Sequence, residues 1–183
     1  MKKEKILPIA LLLLILTAVS GSLEGRVLLS IPEAIQKAFH GQVTFTRQRL
    51  FLSSSRVAAF EDKAAGTTSL KSRIITRFKI HRKKRLIAMA YLDTHHVRSG
   101  KETLLIVLNI EGAINNIFLL NFQGDRGYEP KAQWLKNFTG LTENKRLRLK
   151  HEIDAMSGAS ITSVEVIKAV RRVLLLHSLS NGE

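Results

Sequence analysis

The 183-residue chain has no cysteine. That excludes disulfides, thiolate zinc sites, iron–sulfur clusters, covalently attached haem and cysteine nucleophiles together. Acidic residues are scarce: 15 Asp and Glu stand against 29 Lys and Arg, a formal charge of +14. Between Lys63 and Leu92 there are nine Lys or Arg and no acid at all. The patterns GxGxxG, GxSxG and GxxxxGK followed by Ser or Thr are missing, so Rossmann binding, α/β-hydrolase chemistry and nucleotide hydrolysis have no support. Repeats and low-complexity linkers are missing too. Apolar residues still make up 45%, too many for a disordered polycation and enough for a packed core. The length suits one domain, for which about 100–200 residues is usual. A basic excess of this size points to nucleic acid, an anionic membrane or an acidic partner.

The N-terminus narrows that choice. Lys2, Lys3 and Lys5 precede an apolar run from Ile6 to Val19, interrupted only by Pro8 and Thr17, and small residues follow at Ala18, Ser20, Gly21 and Ser22. A basic start, a short apolar stretch and small residues describe an export signal. The run is shorter than the roughly 20 residues of a spanning helix, which favours cleavage near residues 20–22 over permanent anchoring. The expected organisation is a signal peptide or N-terminal membrane anchor at 1–22 and a folded domain at 23–183, working outside the cytoplasm. Such a domain rarely meets nucleic acid, so nucleic acid drops out as a partner. Removing the leader deletes three Lys and one Glu, which leaves 14 − 2 = +12 on the folded part.

Ser30-Ile31-Pro32-Glu33 reads as a capped helix start, with Ile35, Ala38 and Phe39 inward and Gly41 at its end. Residues 42–52 read as a strand. Residues 53–65 read as a helix with Val57, Ala58, Phe60 and Ala64 inward. Two hairpins follow: 74–80 with 86–92 around His81-Arg82-Lys83-Lys84, and 103–110 with 113–122 around Glu111-Gly112. Pro130 opens a short helix through Trp134, Leu135 and Phe138, closed by Gly140. Residues 145–150 alternate basic and leucine residues like an edge strand. A last helix is expected over about 163–177. The fold class is α+β: a twisted antiparallel sheet of hairpins flanked by short helices. The basic stretch 63–92 reads either as a solvated strand pair protected from edge aggregation or as a docking face for an acidic partner or lipid surface.

The segment Asp154-Ala155-Met156-Ser157-Gly158-Ala159-Ser160, just before the last helix, is a tight turn of small residues. Gly158 permits positive φ, and Ala159 leaves room for a group to approach the backbone. The helix start behind it offers unpaired N–H groups and a partial positive charge, the usual setting for a phosphate. Thr162 and Glu165 have capping-box spacing, which gives Thr162 a structural task and leaves the Ser160 hydroxyl to point outward. On the residues alone, a phosphate site and an ordinary turn with a capped helix both remain open.

The same seven residues resemble the flavinylation motif of extracytoplasmic FMN-binding domains, found in sodium-pumping NADH:quinone reductase and Rnf-type complexes. The family pattern is Asp, two free positions, Ser or Thr, Gly, Ala, then Thr or Ser. In that family a flavin transferase joins FMN through its phosphate to the last hydroxyl. By position the acceptor here is Ser160, where Thr is the commoner choice. The hairpin 103–122 is similar to the family's, and Tyr128-Glu129-Pro130 with Trp134 and Phe138-Thr139-Gly140 looks like the Glu-Pro loop and Trp helix of its small periplasmic members. The similarity runs from about Leu104 to Val173. It implies covalent FMN at Ser160, with Ser157, Gly158, Ala159 and Thr162 around the phosphate and Asp154 serving the transferase reaction. Tyr128 and Glu129 lie in the Glu-Pro loop, and Tyr128, Trp134 or Met156 would form a shelf for the ring. It further implies a flavoprotein of the periplasm, carrying electrons between a membrane redox complex and an extracytoplasmic partner rather than acting as a stand-alone enzyme. The alternative is an accessory module that binds FMN or phosphate non-covalently.

Weaker constellations remain. Asp93, His95 and His96 contain metal-ligand types, but adjacent histidines on a strand face opposite sides. Arg98 beside them has the charge to meet flavin oxygens or phosphate. His151 and His177 read as charges at element ends. Asn137-Phe138-Thr139 has the form of a glycosylation site, by chance in this setting.

Overall fold

From Leu104 to Leu108 five consecutive residues are apolar, without the alternation of a half-exposed strand. All five have no exposed surface, because both faces of the sheet are covered there. A computed structural model describes residues 26–98, 100–143 and 153–180. It contains strands β1 (Arg26–Val27), β2 (Thr44–Phe51), β3 (Ile74–Arg82), β4 (Arg85–Val97), β5 (Gly100–Asn109) and β6 (Ile114–Phe122). The helices are α1 (Ile31–Ala38), α2 (Ser54–Ala64), α3 (Ala132–Leu135) and α4 (Ser160–Ser180), with 3-10 turns at Arg126–Tyr128 and Lys136–Phe138. The six strands form one antiparallel sheet in the order β1-β6-β5-β4-β3-β2. The α+β class expected from the sequence is the class observed.

Two apolar layers flank the sheet. On one side Ala34 and Ile35 of α1 pack with Phe78, Ile80, Ala88, Ala90, Leu105 and Val107. On the other, Phe60 of α2 and Val166, Val170, Val173 and Leu174 of α4 pack with Met89, Tyr91, Leu104, Ile106 and Leu108. Leu135 and Phe138 close that second layer beside Ile153. The central strands β4 and β5 therefore lie between α1 and α4, and α4 fixes the position of everything at its own N-terminus.

Local sequence explains most boundaries. Ser30 accepts from the Glu33 amide while the Glu33 carboxylate accepts from the Ser30 amide, so the expected capping box is formed. Ser53 caps α2 through the Arg56 amide. The β3–β4 hairpin turns on Lys83 and Lys84, both at positive φ (47° and 66°), inside the expected four-residue turn. Other expectations are corrected. The helix α1 stops at Ala38 with an extended Phe39, so Gly41 belongs to the turn into β2 rather than to the helix end. Ala58 faces solvent, while Phe60 and Ala64 carry the buried face of α2. The last helix begins at Ser160 and runs to Ser180, longer at both ends than expected. The leader expected at 1–22, the edge strand expected at 145–150 and His151 lie outside the described residues.

Of the cations in the basic stretch, Lys63, Lys71, Arg73, Arg82, Lys83, Lys84 and Arg85 are exposed. Phe51 and Ile74 stand exposed beside them, with the Arg73 guanidinium 5.8 Å over the Phe51 ring. Among the described residues no helix is long and apolar enough to cross a membrane.

Candidate functional site

Ser163 organises the turn before α4. Its hydroxyl accepts from the Met156 amide at 3.0 Å and donates to the Ala159 carbonyl at 3.0 Å. The Ser163 amide donates to the same carbonyl, also at 3.0 Å. This double hold starts the helix at Ser160, earlier than a Thr162 cap would. Thr162 consequently sits buried in the first turn, and the expected Thr162–Glu165 capping box is not formed; Glu165 pairs with Lys168 at 2.7 Å instead. The residue that does this work, Ser163, is small and polar like its neighbours and carries no distinguishing signal in the sequence.

The consequence for the site is direct. The amides of Ser160, Ile161 and Thr162 have no hydrogen-bond partner among the described residues, as the first turn of any helix requires. Ser157, Gly158 and Ser160 are exposed, Ala159 is buried, and the Ser160 hydroxyl makes no hydrogen bond among the described residues. Gly158 has φ +73°, and a Cβ placed there would meet nothing within 4 Å, so the backbone of the turn borders open space. Asp154 is exposed, and its carboxylate has no partner among the described residues.

Trp134 braces the turn from α3. Its indole Nε1 donates to the Asp154 carbonyl at 2.7 Å, and its ring meets Phe138 edge-on with centroids 5.2 Å apart. Trp134 and Met156 are both half-buried, which leaves part of each surface available at the turn. Tyr128 is half-buried in the 3-10 turn after β6, and its ring carries the Arg98 guanidinium at 5.7 Å. Arg98 is thus already stacked on an aromatic face. Glu129 follows Tyr128 and is half-buried.

A second polar group lies inside the domain, under α4. Arg172 donates to Asp93 from Nε to Oδ2 at 2.7 Å and from a terminal nitrogen to Oδ1 at 2.8 Å. The other terminal nitrogen reaches the Thr68 hydroxyl at 3.2 Å and the Ser69 carbonyl at 3.0 Å. His95 Nδ1 lies 2.9 Å from Asp93 Oδ1. Burial tends to raise the Asp93 pKa, but the hydrogen bonds from His95 and Arg172 and the Arg172 charge outweigh it and hold the group at about 2. His95 Nε2 faces Glu102 Oε2 at 3.9 Å, and Glu102 has no exposed surface. Burial, then the charges of Asp93, Glu129 and Glu165, push the Glu102 carboxyl up to about 8. His96 faces solvent on the other side of the strand, as its adjacency to His95 requires. No group of three or more potential ligands able to hold a metal occurs among the described residues. The sequence reading missed Glu102 and Arg172 altogether. The available signal was an acid in an apolar strand and an arginine on the apolar face of the last helix.

His177 is not an end charge. It is buried, 3.0 Å from the Tyr91 hydroxyl through Nδ1, and burial lowers its imidazole pKa with help from the Arg77 charge.

A turn of small residues with free amides, an exposed hydroxyl and open space at Gly158 fits a phosphate monoester, and Trp134 and Met156 offer apolar surface beside it. No curated protein matches the chain. The model of the FMN-binding domain matches residues 98–175, from Arg98 at the end of β4 through most of α4. The matched stretch contains the β5–β6 hairpin, the Trp134 brace, the turn at 154–159 and Ser160, and over these residues the chain is similar to the FMN-binding domain family.

Proposed function

We propose that the chain is an exported electron-carrying flavoprotein with FMN joined through its phosphate to Ser160. The observation that carries this reading is the exposed Ser160 hydroxyl at the first position of α4, beside the amides of Ser160, Ile161 and Thr162, all without a hydrogen-bond partner among the described residues. Attachment forms a bond from Ser160 Oγ to phosphorus. The serine proton leaves, and the activated flavin donor held by a transferase loses its leaving group. The residual phosphate charge is met by the free amides and the positive end of the helix dipole. Asp154, exposed and without a partner among the described residues, is placed to serve the transferase. Trp134 and Met156 supply apolar surface next to the turn, and Tyr128 with Arg98 forms a second aromatic face.

Bound FMN supplies reversible electron transfer, while the protein sets its position and potential. Covalent attachment suits a compartment where free FMN is scarce. The partners are a flavin transferase and, for electrons, a membrane complex or an extracytoplasmic redox protein. The exposed cations from Lys63 to Arg85, with no acid between Lys63 and Leu92, support docking to an acidic partner or an anionic membrane surface.

The test is intact mass after co-expression with a flavin transferase. An FMN adduct in the wild type that is absent from Ser160→Ala is the expected result. Flavin fluorescence that survives a denaturing gel distinguishes covalent from tight non-covalent binding, and an unmodified wild type overturns attachment.

A further inference from the structure

Glu102 is a carboxyl buried in the middle of a sheet, and neither of its oxygens has a hydrogen-bond partner among the described residues. An ionised carboxylate in that position costs far more than a neutral acid. The complementary atom facing it is His95 Nε2 at 3.9 Å, itself buried and without a hydrogen-bond partner among the described residues. Cross-strand register places the two residues directly opposite each other on β4 and β5.

The histidine is held in one orientation. Asp93 is ionised and can only accept, so the proton between it and His95 sits on Nδ1. Arg172 fixes Asp93 in turn through two hydrogen bonds. In neutral His95 the remaining nitrogen, Nε2, therefore presents a lone pair, and it presents it to Glu102. An arginine, an aspartate and a histidine are arranged in series to aim one basic nitrogen at one carboxyl.

The location relates this series to the FMN-binding end. Glu165 and Glu129 both act electrostatically on Glu102; one lies five residues along α4 from Ser160, roughly 7.5 Å of helix rise, and the other follows Tyr128. At the opposite end of the series, a cleft of about 240 Å³ lined by Lys71, Ser72, Asp93, Thr94 and Arg172 opens to solvent. The charged groups facing the pair are Asp93 from β4, Arg172 and Glu165 from α4, and Glu129 from the turn after β6.

We propose that His95 and Glu102 form a buried proton-exchange site, in which the proton resides on the Glu102 carboxyl, with the Nε2 lone pair 3.9 Å away as its alternative acceptor, and is exchanged when the charge at the FMN-binding end changes. With the proton present, Arg172, Asp93, His95 and Glu102 sum to zero charge; with the proton gone, the group carries one negative charge. The proton leaves Glu102 either directly or after transfer to Nε2, and no bond between heavy atoms is made or broken. The exchange site rests on the FMN reading for its purpose, while its existence rests on the four side chains alone.

The first measurement needs no flavin. Infrared spectra of the full chain should show the carbonyl band of a buried neutral carboxylic acid at pH 7, absent from Glu102→Gln, and nitrogen NMR should show His95 protonated at Nδ1. Absence of the band in a folded wild type overturns the site. The second uses the FMN-loaded protein. The flavin midpoint potential of the wild type should bend with pH as the range around 8 is crossed, and both Glu102→Gln and His95→Gln should remove the bend. Superimposable curves overturn the link to the flavin. A wild type that carries no FMN by intact mass sinks attachment at Ser160 and leaves the infrared result to decide the proton site.

Discussion

Arg172 and Asp93, 79 residues apart, meet under α4 through two hydrogen bonds of 2.7 and 2.8 Å, with both side chains almost wholly buried. The pair pins the middle of the last helix to β4. It also closes the segment after α2 onto the helix, because Arg172 holds Thr68 and Ser69 while Thr68 donates to the Lys168 carbonyl at 2.8 Å. The helix whose first turn bears Ser160 is thus positioned by a polar lock twelve residues further along.

Arg172→Met keeps the volume of the stem and removes the charge. Asp93 is then buried with only His95 to compensate it. Breaking a buried pair from one side costs about 3–5 kcal/mol. Chemical denaturation of Arg172→Met should show a loss of this size, and an effect below about 1 kcal/mol would mean that the lock is not stabilising.

Asp93 and Glu102 give stability opposite dependences on pH. The folded pKa of Asp93 lies below its unfolded value of 3.8, so its contribution is present above that value and lost as pH falls towards about 2. The folded pKa of Glu102 lies above its unfolded value of 4.5, so its contribution is complete below that value and lost as pH rises to about 8. The loss on the alkaline side has a limiting slope of about 1.4 kcal/mol per pH unit. Denaturant midpoints taken across this range should fall more steeply with rising pH in the wild type than in Glu102→Gln. Equal slopes in the two proteins would show that Glu102 is ionised in the folded state.

What was legible in the sequence was local. The hairpins follow from β-branched runs and their turn residues, and the motif at 154–160 is contiguous, so its small residues and the following helix could be read together. The polar lock was not legible, because nothing local pairs Asp93 with Arg172 or His95 with Glu102. Asp93 and His95 looked like a weak metal pair with His96, since alternation shows which histidine points inward but not what it meets there. His177 looked like an end charge because the last helix was expected to stop with it; the helix runs three residues further and turns the ring onto Tyr91. The early start at Ser160 depended on the Ser163 hydroxyl reaching back to Met156, a contact that outranks the capping pattern of Thr162 and Glu165.

Two glycines within residues 98–175 have different reasons to be glycine. A Cβ on Gly100 would lie 1.4 Å from the Gln123 carbonyl oxygen, so the backbones of β5 and the chain leaving β6 approach too closely for any side chain. Gly158 has free space but φ +73°, where an L-residue is strained by about 1–2 kcal/mol. Gly100→Ala should therefore destabilise by about 3 kcal/mol or more, beyond ordinary overpacking. Gly158→Ala should cost about 1–2 kcal/mol in thermal melts and leave the sheet intact. Reversed magnitudes would contradict the close approach at Gln123.

The Trp134 indole is the only side-chain group among the described residues that hydrogen-bonds the Asp154 carbonyl, at 2.7 Å. Trp134→Phe preserves the aromatic packing against Phe138 and deletes this bond alone, an expected loss of about 0.5–1.5 kcal/mol. Because Asp154 opens the turn whose far end is Ser160, the loss should be concentrated there. Amide exchange should accelerate at residues 153–158 and remain unchanged in β5. The yield of FMN adduct at a fixed time of exposure to the transferase should fall with it, since the Ser160 hydroxyl, the acceptor we propose, would no longer be presented by a braced turn. Faster exchange spread over the whole domain would assign Trp134 to general core packing, and unaltered exchange with unaltered yield would remove it from the site.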